Sequence, residues 1–447
     1  MNRRVLVPAA VLLSSLSFPL TITGASVALP DLTGDLNASP TAAQWVVTGY
    51  NLCFAAFLAF GGSLADLLGR RRLYAVGVSA FLLGSAWCAV AGDVGGLVAA
   101  RLVAGVGAAI ATATGQSSLA SAFDGAARAR VFGALGTVLG IGLAFGPTVS
   151  GFLVDLAGWR AVFWVPAVLA GLALLLCPAL PPGRGSGQRV DWAGGALFTF
   201  GLGALIWVFV EAPVLGVAHP AVLAVVVAAV AGVAGFVRVE RRAAAPMFDL
   251  ALLGDRAFLG YALVAAAMMG LLVPLLVYLP SYFIDVVGVD PARAGLWMLV
   301  LTVPSVLLPG VGAALAKRSP RLLSTGAVLL ASVGVVGLVG IGPDGAPWPA
   351  LLLTGVGVGL TTGVVDGLAL SSVPADRVGA AAGLFNTARL TAETVALAAA
   401  GSALTLLGGG QPDSGFTDAL RVVVVVLGCA GVAAGLGAHA LLRRVGR

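Results

Sequence analysis

Charge is what this chain has least of. Its 447 residues include 25 Lys and Arg and 19 Asp and Glu, 10% in all, where a soluble domain carries about 25%. A folded chain of this length would need a polar surface that this one lacks, which excludes a soluble enzyme, a nucleic-acid-binding domain and a disordered protein. Lysine is nearly absent, with Lys317 the single example, and histidine is confined to His219 and His439. The four cysteines, Cys53, Cys88, Cys177 and Cys429, form no CxxC and share no metal-ligand spacing, so they read as small packing residues. No phosphate-binding loop is present. The run Gly355-Val356-Gly357-Val358-Gly359 lies in the middle of an apolar stretch, where glycine serves helix packing. No cofactor and no metal is expected.

What is abundant is apolar length: 59% hydrophobic residues, with a mean hydropathy of +1.04. A membrane-crossing helix needs about 20 apolar residues. Uncharged stretches cover residues 5–30, 36–65, 73–92, 131–154, 161–183, 192–210, 212–237, 257–284, 294–316, 322–343, 345–365 and 422–442. Residues 94–123, carrying Arg101, and residues 378–412, carrying Arg389 and Glu393, are also long enough. Fourteen helices are therefore expected. The first follows Arg3-Arg4 but is too long for a signal-peptide core and lacks a clean cleavage site, so it counts as a helix.

The loops give an orientation. With the N-terminus inside, Arg70, Arg71, Arg72, Arg128, Arg130, Lys317, Arg318, Arg321 and the terminal arginines all fall on one side. Only Arg160, Arg293 and Arg421 fall on the other. Cytoplasmic loops carry such an excess, so both termini are expected in the cytoplasm of a multi-pass cell-membrane protein. The longest polar connections, 181–191 and 240–256, bracket two helices. The expected layout is an N-terminal six-helix bundle (1–180), a linker with two extra helices (181–255) and a C-terminal six-helix bundle (256–447). Leu64-Ala65-Asp66 before Arg70 is echoed by Leu315-Ala316-Lys317 before Arg321, a sign of duplication.

Three patterns carry a resemblance. Gly62-Ser63-Leu64-Ala65-Asp66-Leu67-Leu68-Gly69-Arg70-Arg71-Arg72 follows the second stretch; Arg101 precedes Gly105 in the fourth; and Gly142, Gly146, Pro147 and Gly151 mark the fifth. Together with Gln44-Trp45, Gly158-Trp159-Arg160 and Asn386-Thr387-Ala388-Arg389, they resemble the fourteen-helix drug:proton antiporter branch of the major facilitator superfamily. The resemblance implies an all-α membrane protein of two six-helix bundles plus two inserted helices. It also implies export of a small amphipathic drug, antibiotic or metabolite in exchange for protons. Asp66, Gly62, Gly69, Arg70 and Arg71 would gate the alternation, and Gly142, Gly146, Pro147 and Gly151 would form the antiporter segment. The chain departs from the pattern at Leu67, at Ser150 and above all at Thr21, where the branch usually carries an acid in the first helix.

Without that acid, the membrane-depth acids are Glu211, Asp366 and Glu393. Asp366 is the first candidate for the proton. Glu393 lies four residues after Arg389, close enough along one helix face to pair with it. Arg101 is costly in lipid and so should face the interior, either tuning a neighbouring proton site or anchoring the first helix. The expected partners are the lipid bilayer, protons and a small-molecule substrate, with no nucleic acid, and a monomer. Two rivals stay open: uptake or facilitated transport of a metabolite, and, more remotely, a membrane-embedded lipid-modifying enzyme.

Overall fold

The computed structural model describes residues 3–123, 125–181, 191–243, 248, 250–342, 347–374, 377–408 and 414–443. The chain divides into two compact units, Met1–Val208 with Leu223–Met247, and Phe209–Val222 with Phe248–Arg447. The first run of helices is α1 (Arg3–Val27), α2 (Leu29–Asp35), α3 (Pro40–Leu68), α4 (Arg70–Val90), α5 (Val94–Ala122), α6 (Gly125–Ala157), α7 (Ala161–Leu176), α8 (Trp192–Leu215) and α9 (Pro220–Glu240). The second is α10 (Arg256–Asp285), α11 (Pro291–Leu307), α12 (Pro309–Arg318), α13 (Pro320–Gly337), α14 (Trp348–Thr361), α15 (Val364–Ser371), α16 (Val378–Gly408) and α17 (Ser414–Arg443). Among the described residues twelve helices are long and apolar enough to cross a membrane, or thirteen if the bent pair α11–α12 is one span.

The usual polarity of a folded chain is inverted, with apolar side chains facing outward. Leu156, Leu175, Val227 and Leu307 are largely exposed, while Ser17, Thr23, Thr48 and Ser118 are buried. In water such a surface would drive aggregation; in lipid it is the solvent-matched face. Because lipid is as apolar as leucine, close backbone contact has to hold the helices together. Gly77 and Gly107 seat α4 against α5, and Gly105 brings α5 onto the Tyr50 carbonyl of α3. The second unit repeats the device. Gly334 and Gly357 join α13 to α14, while Gly355 and Gly359 lie on the Leu301 and Pro304 carbonyls of α11. In the first unit α1 also packs on α6 and α7, and in the second α10 packs on α16 and α17.

The hairpin α8–α9 is the least enclosed part of the fold. Only 22% of the apolar window of α9 is buried, against 72% for α10. Gly201 and Gly232 bring its two helices together, and Phe198 meets Phe236 at 5.4 Å.

Two stretches expected as single helices are interrupted. Residues 294–316 bend by 47° between α11 and α12, where Pro309 starts a new helix. The twelfth stretch stops at Thr361, turns at Gly363 with φ +71° and resumes as α15, which carries Asp366 in its first turn. Glycine adopts that left-handed backbone without steric cost. The same need arises at Gly69, the one residue between α3 and α4, with φ +90°.

Candidate functional site

Asp366, Arg389 and Glu393 come together in the second unit, but not in the pairing that helical spacing alone suggests. Arg389 and Glu393 sit one turn apart on α16, yet the ion pair forms between Arg389 Nη1 and Asp366 Oδ1 at 3.1 Å. Arg389 Nη2 donates to Asn386 Oδ1 at 2.9 Å. The Arg389–Glu393 pair is therefore corrected to Arg389–Asp366. The reason is the break at Gly363, which starts α15 beside α16. It also sets the Asp366 carboxylate in the first turn of a helix, where the backbone dipole favours negative charge.

Glu393 is left as a carboxyl 6% exposed, with no hydrogen bond or ion pair among the described residues. Around it α10 approaches α16 closely: Gly270 faces Ala392 and Ala396, and the Tyr278 hydroxyl donates to the Leu397 carbonyl at 3.2 Å. Near the two helix breaks of this unit lies an open groove of about 550 Å³, lined by Pro309, Ala313, Lys317, Thr362, Gly363 and Leu368.

In the first unit Arg101 is 1% exposed. Its Nε donates to the Val46 carbonyl of α3 at 2.7 Å and its Nη1 to the Thr21 carbonyl of α1 at 3.3 Å. The guanidinium lies over the Tyr50 ring at 4.4 Å and near that of Phe163 at 5.9 Å. Arg101 thus ties three helices together through carbonyls and ring faces. The bond to Thr21 is the anchoring of the first helix expected from the sequence; the Val46 carbonyl of α3 was not legible, because a backbone carbonyl carries no residue signature.

The glycine- and proline-bearing segment of α6 packs directly on α1. Gly142 lies against Pro19, Gly146 against Thr23, and Ser150 against Gly24, with Gly151 buried one residue further. A side chain at either glycine would push α1 away. Pro147 is buried inside α6. Of the residues expected to gate, Arg70 donates to the Ser117 carbonyl of α5 at 3.4 Å and Arg71 is exposed. The surroundings of Gly62 and Asp66 lie outside the described residues.

At the other end of this unit, Asp35 accepts from Trp159 Nε1 at 3.1 Å and from Arg160 Nη1 at 2.9 Å. The indole first, then the guanidinium, hold its carboxyl below the ordinary aspartate range. A depressed value stabilises the fold above the unfolded-state pKa and stops doing so as pH falls through the folded one. Asp35→Asn should therefore lower the midpoint slightly at neutral pH, where an exposed pair contributes little, and converge on wild type as pH falls through the folded value. A variant whose profile overlays wild type at every pH would contradict this.

The decisive comparison is with a family model described as Major Facilitator Superfamily, which matches residues 11–397. The chain belongs to the major facilitator superfamily. Among curated relatives, the multidrug resistance protein Stp of Mycobacterium tuberculosis is 32% identical over 391 residues, covering 85% of this chain and 72% of Stp. The puromycin resistance protein pur8 of Streptomyces alboniger is 33% identical over 390 residues, covering 85% and 77%. The probable actinorhodin transporter of Streptomyces coelicolor is 31% identical over 431 residues, covering 91% and 73%. Solved structures share the fold at low identity. An inward-facing bacterial homologue of the human lysosomal transporter Spinster matches with a TM-score of 0.69, 15% identity, and 99% and 97% coverage of the two chains. This major facilitator chain is an all-α, multi-pass membrane protein, a secondary transporter of a small compound and not an enzyme.

Proposed function

We propose that this transporter exports a small amphipathic compound, a drug, antibiotic or metabolite, in exchange for protons. The observation that carries the reading is Glu393, a carboxyl enclosed within a helix bundle while the neighbouring arginine is engaged by Asp366. An unpaired buried carboxylate charge is costly, so the neutral acid is the form such surroundings accept. Access to water from one side and then the other would let the group release and regain a proton during the cycle. Asp366 and Arg389 would hold the local charge balance, with Arg389 free to exchange partners between the two carboxylates. The names of the relatives support export of toxic compounds.

In this reading α3 and the bent pair α11–α12 join the other spans to give fourteen, with both termini cytoplasmic. Residues 1–180 and 256–447 are the two six-helix bundles, α8 and α9 are the added hairpin within 181–255, and the protein works as a monomer. Gating falls to Asp66 and the arginines that follow it. A second reading, uptake or facilitated transport, is favoured by Thr21, since it leaves α1 without an acid.

A susceptibility panel in an efflux-deficient host, with puromycin among the compounds, tests the proposal. Wild type should raise tolerance to at least one compound, and Glu393→Gln at matched expression should return it to the empty-vector level. If Glu393→Gln and Asp366→Asn both protect as well as wild type, the proton-site assignment falls.

A further inference from the structure

We infer that Arg101 forms the centre of an anion-binding site in the first unit, selective for a small monovalent anion such as a carboxylate. The guanidinium is almost fully enclosed, and the described residues give it only neutral partners: two backbone carbonyls and two ring faces. Its Nη2 has no hydrogen-bond partner. The helices that contact it also carry buried hydroxyls without partners. Thr21 Oγ1 comes from α1, at the residue whose carbonyl Arg101 already holds; Thr48 Oγ1 comes from α3, two residues past Val46. Ser85 Oγ comes from α4, one turn from Cys88, which lies within electrostatic range of Arg101.

The chemistry of this set has one sign. A buried cation without a counterion is unstable unless a negative charge joins it, and hydroxyls and a guanidinium N–H are donors to such a group. A cationic solute would find no charge to pair with. Thr21 is the determinant, because an acid at that position would supply an internal counterion and close the site to outside anions. Since the guanidinium is enclosed here, entry requires α1 to shift away from α5.

The site is tested by thermal unfolding of the purified full chain in detergent and a Tris–sulfate buffer free of chloride and carboxylates, titrated with sodium benzoate, sodium chloride or neutral benzamide. A saturable rise in unfolding midpoint is expected for wild type with benzoate or chloride and not with benzamide. A benzoate response at lower concentration identifies a solute carboxylate as the ligand, and a response to chloride alone identifies a halide. Thr21→Asp should remain folded and lose apparent anion affinity by about tenfold or more, through charge repulsion and internal pairing. Thr21→Asn should respond like wild type, which separates charge from packing. No saturable shift in wild type, an equal shift with benzamide, or an unchanged response in Thr21→Asp would each overturn the inference. The readout uses no gradient, so it stands or falls separately from proton-driven export.

Discussion

Gly107→Ala is expected to be among the most damaging single methyl groups that can be added to this chain, and Gly136→Ala to be harmless or mildly stabilising. In a free helix alanine is better than glycine by about 1 kcal/mol, so both substitutions start with the same advantage. At Gly136 the new Cβ meets nothing within 4 Å. At Gly107 it meets the backbone of α4 at Phe81 N and Gly77 O. A side chain could turn aside; backbone cannot. Nor can α5 retreat, because Gly105 on the same helix already lies on the Tyr50 carbonyl of α3. Overpacking costs about 1–3 kcal/mol where neighbours can adjust, and here the upper end applies. At about 2–4 °C per kcal/mol for a unit of 150–250 residues, the midpoint in detergent should drop by about 5–10 °C, with loss of monodisperse protein. Equal midpoints for the two variants would contradict the packing described.

The second large effect is functional. Glu393→Gln keeps the shape and burial of the side chain but cannot give up a proton. Reconstituted in liposomes, it should lose uphill, gradient-driven transport to the level of protein-free vesicles. It should retain exchange of labelled for unlabelled compound across the membrane, because exchange needs the alternation but no net proton movement. Loss of both activities would mean that Glu393 serves the fold or the binding of the compound. Retention of both would remove it from proton coupling.

The helices were legible in the sequence because lipid imposes one rule, about 20 apolar residues with every backbone group satisfied internally. Few charges meant clear boundaries. The breaks were harder to see, although Pro309 and Gly363 stand in the sequence: both lie inside apolar runs, where hydropathy registers length and not backbone direction. The Asp366–Arg389 pair was hidden for the same reason. Spacing along one helix favours Arg389 with Glu393, whereas the observed partner arrives from another element, 23 residues earlier in the chain. Arg101 was legible as an interior group from its cost in lipid, and the first helix as one thing it could anchor; its bond to the Val46 carbonyl of α3 was not. The contact role of Gly142 and Gly146 was legible from residue size; that the surface they meet is Pro19 and Thr23 of α1 required the fold.

Proton coupling is the centre of this account, and dequenching of acridine orange in inside-out vesicles reads it directly. With an acid interior established, adding a compound identified by the susceptibility panel should release protons at a saturable rate in wild-type vesicles and leave Glu393→Gln vesicles unchanged. If the compound crosses the wild-type membrane while the gradient stays intact, the exchange of compound for protons is contradicted.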